Sequence, residues 1–173
     1  MYQRILVPID GSATSTRGLD EAIRLAKLTG ASARLVHVVD ELNFATGYVT
    51  HEAYARDVVP LMKKAGEKIL EQGRARVAAH GIDVDTRLFD SLAARLSEVV
   101  VEQARDWNAD LVVIGTHGRR GLGRLLMGSD AEQIVRTAPV PVLLVRGPEV
   151  DAAAGVAAPA GKAAMPRSRA PGR

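Results

Sequence analysis

The sequence predicts an α/β fold: an open five-stranded parallel sheet, strand order 3-2-1-4-5, with helices on both faces. Three observations lead there. Short apolar runs rich in Val, Ile and Leu recur along the chain, as strands buried on both faces require. Longer stretches of helical spacing separate them. With only two Phe, three Tyr and one Trp, the core has to be built from aliphatic side chains. That palette suits a parallel sheet covered by helices.

"RILVPID" (residues 4–10) is a short apolar run with a proline near its end and reads as a buried strand. "GSATSTRGLDEAIRLAKLTG" follows, where Leu19, Ile23, Ala26 and Leu28 recur with roughly helical spacing. Ser12 suits the N-cap and Gly30 the stop. "ARLVHVVD" (33–40) reads as the second strand. The next stretch, "ELNFATGYVTHEAYARDVVP", has no clean period and is expected to contain a loop leading into a helix. Helical spacing then continues through "LMKKAGEKILEQGRARVAAHG", to Gly81.

"IDVDTRLFD" (82–90) alternates as a strand does, "AARLSEVVVEQARDWN" predicts a helix, and "ADLVVIG" has the unbroken apolar centre of a fourth strand. A glycine-rich loop follows, then a helix from about Ser129 to Thr137, and "VPVLLVR" closes the series as the fifth strand. Regular alternation of strand and helix calls for right-handed crossovers between parallel strands.

Two regions are expected: a domain over residues 1–146 and a tail over 147–173 dominated by Ala, Pro and Gly. Such a tail offers few large apolar residues to offset its ordering entropy and is expected to be disordered. It carries four basic and two acidic residues, leaving 19 basic against 18 acidic in the body. The formal charge of +3 is therefore mostly in the tail, and no global basic field favours binding to nucleic acid. There is no cysteine, which removes disulfides, thiolate metal sites and thiol catalysis together. No apolar stretch reaches the length of a membrane span, and the run ending at Asp10 is too short for a signal segment. The expectation is a cytoplasmic protein without a membrane or nucleic-acid partner.

In a sheet of this order, ligands bind beyond the carboxyl ends of the strands where the order reverses, between the first and fourth strands. That puts Pro8, Ile9, Asp10 and Gly11 beside the loop "IGTHGRRGLGRLLMGSD" (114–130). Glycines let a ligand approach the backbone, and successive N–H groups in such a turn form an anion nest. Gly128 and Ser129 stand where a helix begins, whose unsatisfied amides and dipole attract phosphate, and the Ser129 hydroxyl suits a cap as well as a ligand contact. Arg119, Arg120 and Arg124 supply cations, or are solvated surface charges. His117 either meets ligand or packs on the loop; His37, inside a strand, reads as a core or surface histidine. His51 and His80 have no ligand-like spacing. There is no GxxxxGK(S/T) lysine loop, and "GLGRLL" supplies only two glycines of GxGxxG.

The segment Gly115-x-x-Gly118, nine residues, then Gly128-Ser129 resembles the G-2x-G-9x-G-S/T signature of ATP-binding universal stress proteins. "ILVPIDGS", "LVHVVD" and "APVPVLLVR" are similar to that family too, so the likeness runs in order from about residue 2 to 146. The resemblance implies an adenine-nucleotide-binding, Rossmann-like fold and a stress-response regulator that binds ATP or AMP, with Mg²⁺ an optional companion. It also implies a homodimer paired through the last strand, between Val140 and Val145, an edge that would otherwise be exposed. Carried over, Pro8, Ile9 and Asp10 line adenosine and ribose, and the Val38 backbone meets adenine. Gly115, His117 and Gly118 wrap the ribose and first phosphates, and Gly128, Ser129 and Asp130 the phosphate end, with Ile114 and Arg119 counted among the nucleotide-binding residues. Asp130 departs from the family pattern: a carboxylate there repels phosphate unless it binds Mg²⁺, turns away, or serves the helix dipole.

Other functions stay in view. A slow ATPase needs a base and a metal-ligand set that the sequence does not define. A phosphoacceptor of similar topology needs an acidic pair after the first strand and a lysine after the fifth, where this chain has Asp10 alone and Arg146, with Asp90 and Thr116 in the remaining places. A dimeric interaction module that needs no nucleotide is the main alternative.

Overall fold

The computed structural model describes residues 1–39, 56, 58–89, 95–116 and 128–146. The elements run β1 (Arg4–Pro8), α1 (Ala13–Thr29), β2 (Ser32–Val38), α2 (Val59–Ala78), β3 (Val84–Phe89), α3 (Leu96–Asp106), β4 (Leu111–Gly115), α4 (Ser129–Thr137) and β5 (Val142–Val145). The strands form one sheet in the order β3-β2-β1-β4-β5, and every pairing is parallel. β1 is central, with Pro8 level with Val36 on one side and Leu6 level with Val112 on the other.

Alternate residues of the central strands feed two cores. Ile5, Val7, Leu35 and Val113 point to the layer holding α1 and α2, where they meet Leu19, Ile23, Leu70 and Val77. Leu6, Val36, Val112 and Ile114 point the other way, to Val99, Val100 and Ala104 of α3 and Ile134 of α4. Fully burying one such aliphatic side chain contributes about 1.5–3 kcal/mol, so β1 and β4, buried along most of their length, anchor both layers. The edge strands are different. β3 and β5 are half-buried, and the alternation read in 82–90 does not become a dry face and a wet face, because β3 packs partly against both cores, Val84 and Leu88 against the first and Phe89 against the second.

Local signals explain where the elements stop. Ser12 caps α1 by accepting the Ser15 N–H, and Gly30 ends it in the left-handed region at φ 73°. α2 ends at Ala78 and the chain turns over to Gly81, at φ 70°, where the sequence placed the stop. At the amino edge of the sheet, the Asp110 carboxylate accepts from the Gln3 and Arg4 amides at 2.7 and 3.2 Å, tying β4 to β1 before the strands begin. Arg34 of β2 is nearly buried: its Nε and Nη2 donate to Asp85 Oδ2 at 2.9 and 2.6 Å, Nη1 donates to Gln103 Oε1, and the guanidinium lies 4.8 Å from the Trp107 ring centre. A buried cation needs such a set of partners.

The tail at 147–173 lies outside the described residues, as does most of the stretch 41–57. Among the described residues, no helix is long and apolar enough to cross a membrane.

Candidate functional site

β1 has β2 on one side and β4 on the other, so the crevice where strand order reverses opens at the carboxyl end of β1. Pro8 and Ile9 are buried there, while Asp10 is half-buried. The β1–β2 register, continued past Pro8 and Val36, brings Asp10 level with Val38. On the other side, Ile114 is buried in the second core and Gly115 ends β4.

The turn after β1 is closed by three hydrogen bonds that run in a ring. The Asp10 N–H donates to Ser15 Oγ at 3.1 Å, the Ser15 N–H donates to Ser12 Oγ at 3.1 Å, and the Ser12 N–H donates to Asp10 Oδ1 at 2.9 Å. Gly11, between Asp10 and Ser12, takes φ 79°, a conformation that costs glycine little and other residues more. One peptide earlier, the Ile9 N–H donates to the Val36 carbonyl at 2.8 Å. The Ile9 carbonyl lies 2.7 Å from Nδ1 of His37. A carbonyl can only accept, so that ring nitrogen carries the proton.

Beyond β4, the Thr116 N–H donates to the Val145 carbonyl at 2.9 Å and the Thr116 carbonyl accepts from the Gly128 N–H at 2.9 Å. The two glycines that bracket the signature, Gly115 and Gly128, are thus held at one end of the sheet. α4 starts at Ser129 with Gly128 as N-cap and no side-chain capping bond. Ser129 is the first helical residue, so its hydroxyl is not the cap the sequence allowed it to be. The Gly128 amide is committed to Thr116 and is unavailable to an anion. The first-turn amides that follow have no acceptor inside the helix, as in any α-helix. Ser129 and Asp130 are exposed, and Asp130 with Glu132 places two carboxylates in that first turn. They complement the dipole and oppose a bare phosphate.

Of the predicted site residues, Pro8, Ile9, Asp10, Val38, Ile114, Gly115, Gly128, Ser129 and Asp130 gather at this end of the sheet. His117, Gly118 and Arg119 lie outside the described residues, as do Arg120, Arg124 and Asp90. Sequence reasoning passed over Ser15 and weighed His37 only as a core or surface histidine, not as part of the site; both are 6% exposed. Their signals were there: Ser15 sits on the same buried face of α1 as Leu19 and Ala22, and His37 shares the inward parity of Ala33 and Leu35. A polar side chain in such a place needs a partner.

Comparison with known proteins agrees with this fold. A universal stress protein of Methanocaldococcus jannaschii is 32% identical over 149 residues, 86% of this chain and 85% of the relative. A solved structure from the universal stress protein family of Burkholderia pseudomallei superposes with a TM-score of 0.66 at 30% identity, over 83% of this chain and 96% of that one. A solved universal stress protein in complex with cAMP superposes with a TM-score of 0.60 at 25% identity, over 84% and 97% of the two chains. With the strand order, the register and the four matching segments already in place, the match of residues 1–146 to the universal stress protein family completes the assignment: the chain belongs to that family.

Proposed function

We propose that this chain binds an adenine nucleotide, ATP or AMP, in the crevice between the ends of β1 and β4, and acts in the cytoplasm as a stress-response regulator through its dimer or partner surface. The observation that carries the proposal is the position of Asp10, just past the end of β1, at the switch point of the sheet, with Gly115 ending the neighbouring strand β4 and Gly128 bonded to Thr116 just beyond it. A solved relative that holds cAMP supports the choice of adenine nucleotide. Asp10 offers a carboxylate to ribose hydroxyls, the β2 end at Val38 offers backbone groups to the base, and the first turn of α4 faces phosphate with its amides.

Asp130 and Glu132 shape the preference. Against two carboxylates, AMP with its single phosphate meets less repulsion than metal-free ATP, and Mg²⁺ carried on the phosphates relieves the difference. The half-buried edge strand β5 suits pairing with a second copy, which would cover its outer edge.

Calorimetric titration with AMP, ATP and ATP–Mg²⁺ tests the proposal, with mass spectrometry of nucleotide released on denaturation beside it. Micromolar binding, with Mg²⁺ tightening ATP more than AMP, is expected. Folded protein that neither binds nor releases adenine nucleotide sinks it and leaves a nucleotide-independent dimeric module as the function.

A further inference from the structure

The peptide unit joining Ile9 to Asp10 is held at both ends by buried side chains. Its carbonyl lies 2.7 Å from His37 Nδ1, and its N–H donates to Ser15 Oγ at 3.1 Å. The two side chains come from different elements, β2 and α1, and each is 6% exposed. A peptide is planar and has only the rotations on either side of it; fixing both polar ends fixes the orientation of the Cα that follows. That Cα bears the Asp10 carboxylate, whose Oδ1 is itself held by the Ser12 N–H at 2.9 Å.

We infer that Ser15 and His37 are positioning residues of the nucleotide site, setting the Asp10 carboxylate for a hydroxyl of the ribose through the Ile9–Asp10 peptide. The inference rests on the adenine-nucleotide reading above and adds which side chains give that site its preference for a ribonucleotide. Neither residue needs to touch ligand. Ser15 gives the Asp10 amide an acceptor within the protein, and His37 prevents the peptide from rotating its carbonyl away. Both contacts exist before ligand arrives, so the carboxylate does not have to be ordered at the moment of binding. The surroundings leave little slack. A Cβ on Gly66 of α2 would lie 2.7 Å from His37 Cδ2, so the ring is packed against that helix and cannot swing aside.

The test compares affinity for ATP, 2′-deoxy-ATP and 3′-deoxy-ATP in the full chain, in Asp10→Ala, in Ser15→Ala and in His37→Phe. The unsubstituted protein is expected to favour ATP over at least one deoxy analogue by about tenfold or more, the scale of one hydrogen bond to a charged acceptor. Asp10→Ala should abolish that ratio. Ser15→Ala and His37→Phe should each shrink it toward one while leaving Asp10 in place. A purely structural role would weaken all three ligands alike, so folded variants with an unchanged ratio overturn the inference. So does unsubstituted protein that binds ATP and both deoxy analogues equally. Absence of any binding by the unsubstituted protein sinks the nucleotide reading itself, which is a separate outcome. Amide hydrogen exchange of the unsubstituted protein needs no variant: the Asp10 amide should be protected relative to Gly11, and equal, fast exchange at both overturns the inference.

Discussion

Gly115 and Thr14 stand closer than two side-chain-bearing residues can. A Cβ on Gly115 would lie 2.8 Å from Thr14 Cγ2 and 3.0 Å from both the carbonyl carbon and the carbonyl oxygen of Thr14. The first glycine of the signature therefore allows the start of α1 to rest on the end of β4. Close approach of helix to strand is why this position lacks a side chain, whatever a phosphate also asks of it.

Gly115→Ala is accordingly expected to destabilise the apoprotein by about 2 kcal/mol, lowering Tm by about 4–8 °C, as overpacking does. Thermal melting followed by circular dichroism reads it. Adding Thr14→Ser removes the methyl and recovers only part of the loss, because the backbone atoms of residue 14 remain in the way. Full recovery would show that the methyl alone sets the limit.

The capping ring makes a second, separable claim. Ser12→Ala removes the acceptor of the Ser15 N–H and should cost about 1 kcal/mol, measured by urea unfolding. Ser12→Gly should cost only a few tenths, since glycine is tolerated at an N-cap. Equal losses for the two would argue that the hydroxyl is not the cap.

Arg34 should behave as a buried cation rather than a surface charge. Asp85→Ala leaves its guanidinium with Gln103 and Trp107 alone and is expected to lower stability by about 2 kcal/mol, reduced from the value for a fully buried pair because Asp85 is 38% exposed. The exposed Arg136–Glu132 pair of α4 is the control: Glu132→Ala should change stability by about 0.5 kcal/mol or less. Chemical denaturation of both variants separates the cases.

If β5 is the seam between two copies, the protein should sediment as a dimer at micromolar concentration. Val140→Asp, at the half-buried entry to β5, should shift it toward monomer. Sedimentation velocity over a range of concentrations checks this, and a monomer in the unsubstituted protein would remove the seam.

Much of the fold was legible because burial on both faces leaves a plain trace. β1 and β4 stand as continuous apolar runs, and Ser12, Gly30 and Gly81 mark ends that the structure places within a residue or three. The strands came out one to three residues shorter than the segments read for them; past the ends of β1 and β2, Ile9 and Val39 are buried without being inside a strand. Within the candidate site, Asp10 and the bracketing glycines were legible from topology and spacing. Ser15 and His37 were not, because nothing in a single sequence tells a polar residue on an inward face where its partner lies. The Ile9 carbonyl and the Asp10 amide belong to the backbone and carry no letter of their own. Ser129 was left open as cap or ligand contact for a similar reason: either member of a Gly-Ser pair can take the N-cap, and the helix start at Ser129 gives that place to Gly128.

The Gly128 amide and the Thr116 carbonyl meet at 2.9 Å, so the two ends of the eleven-residue connection from β4 to α4 are pinned to each other. The length of that connection is thereby uncoupled from the frame. Doubling such an excursion costs only about 0.6 kcal/mol of chain entropy, and neither β4 nor α4 has to move. Insertions and deletions between residues 116 and 128 can therefore accumulate while the frame on either side stays as it is.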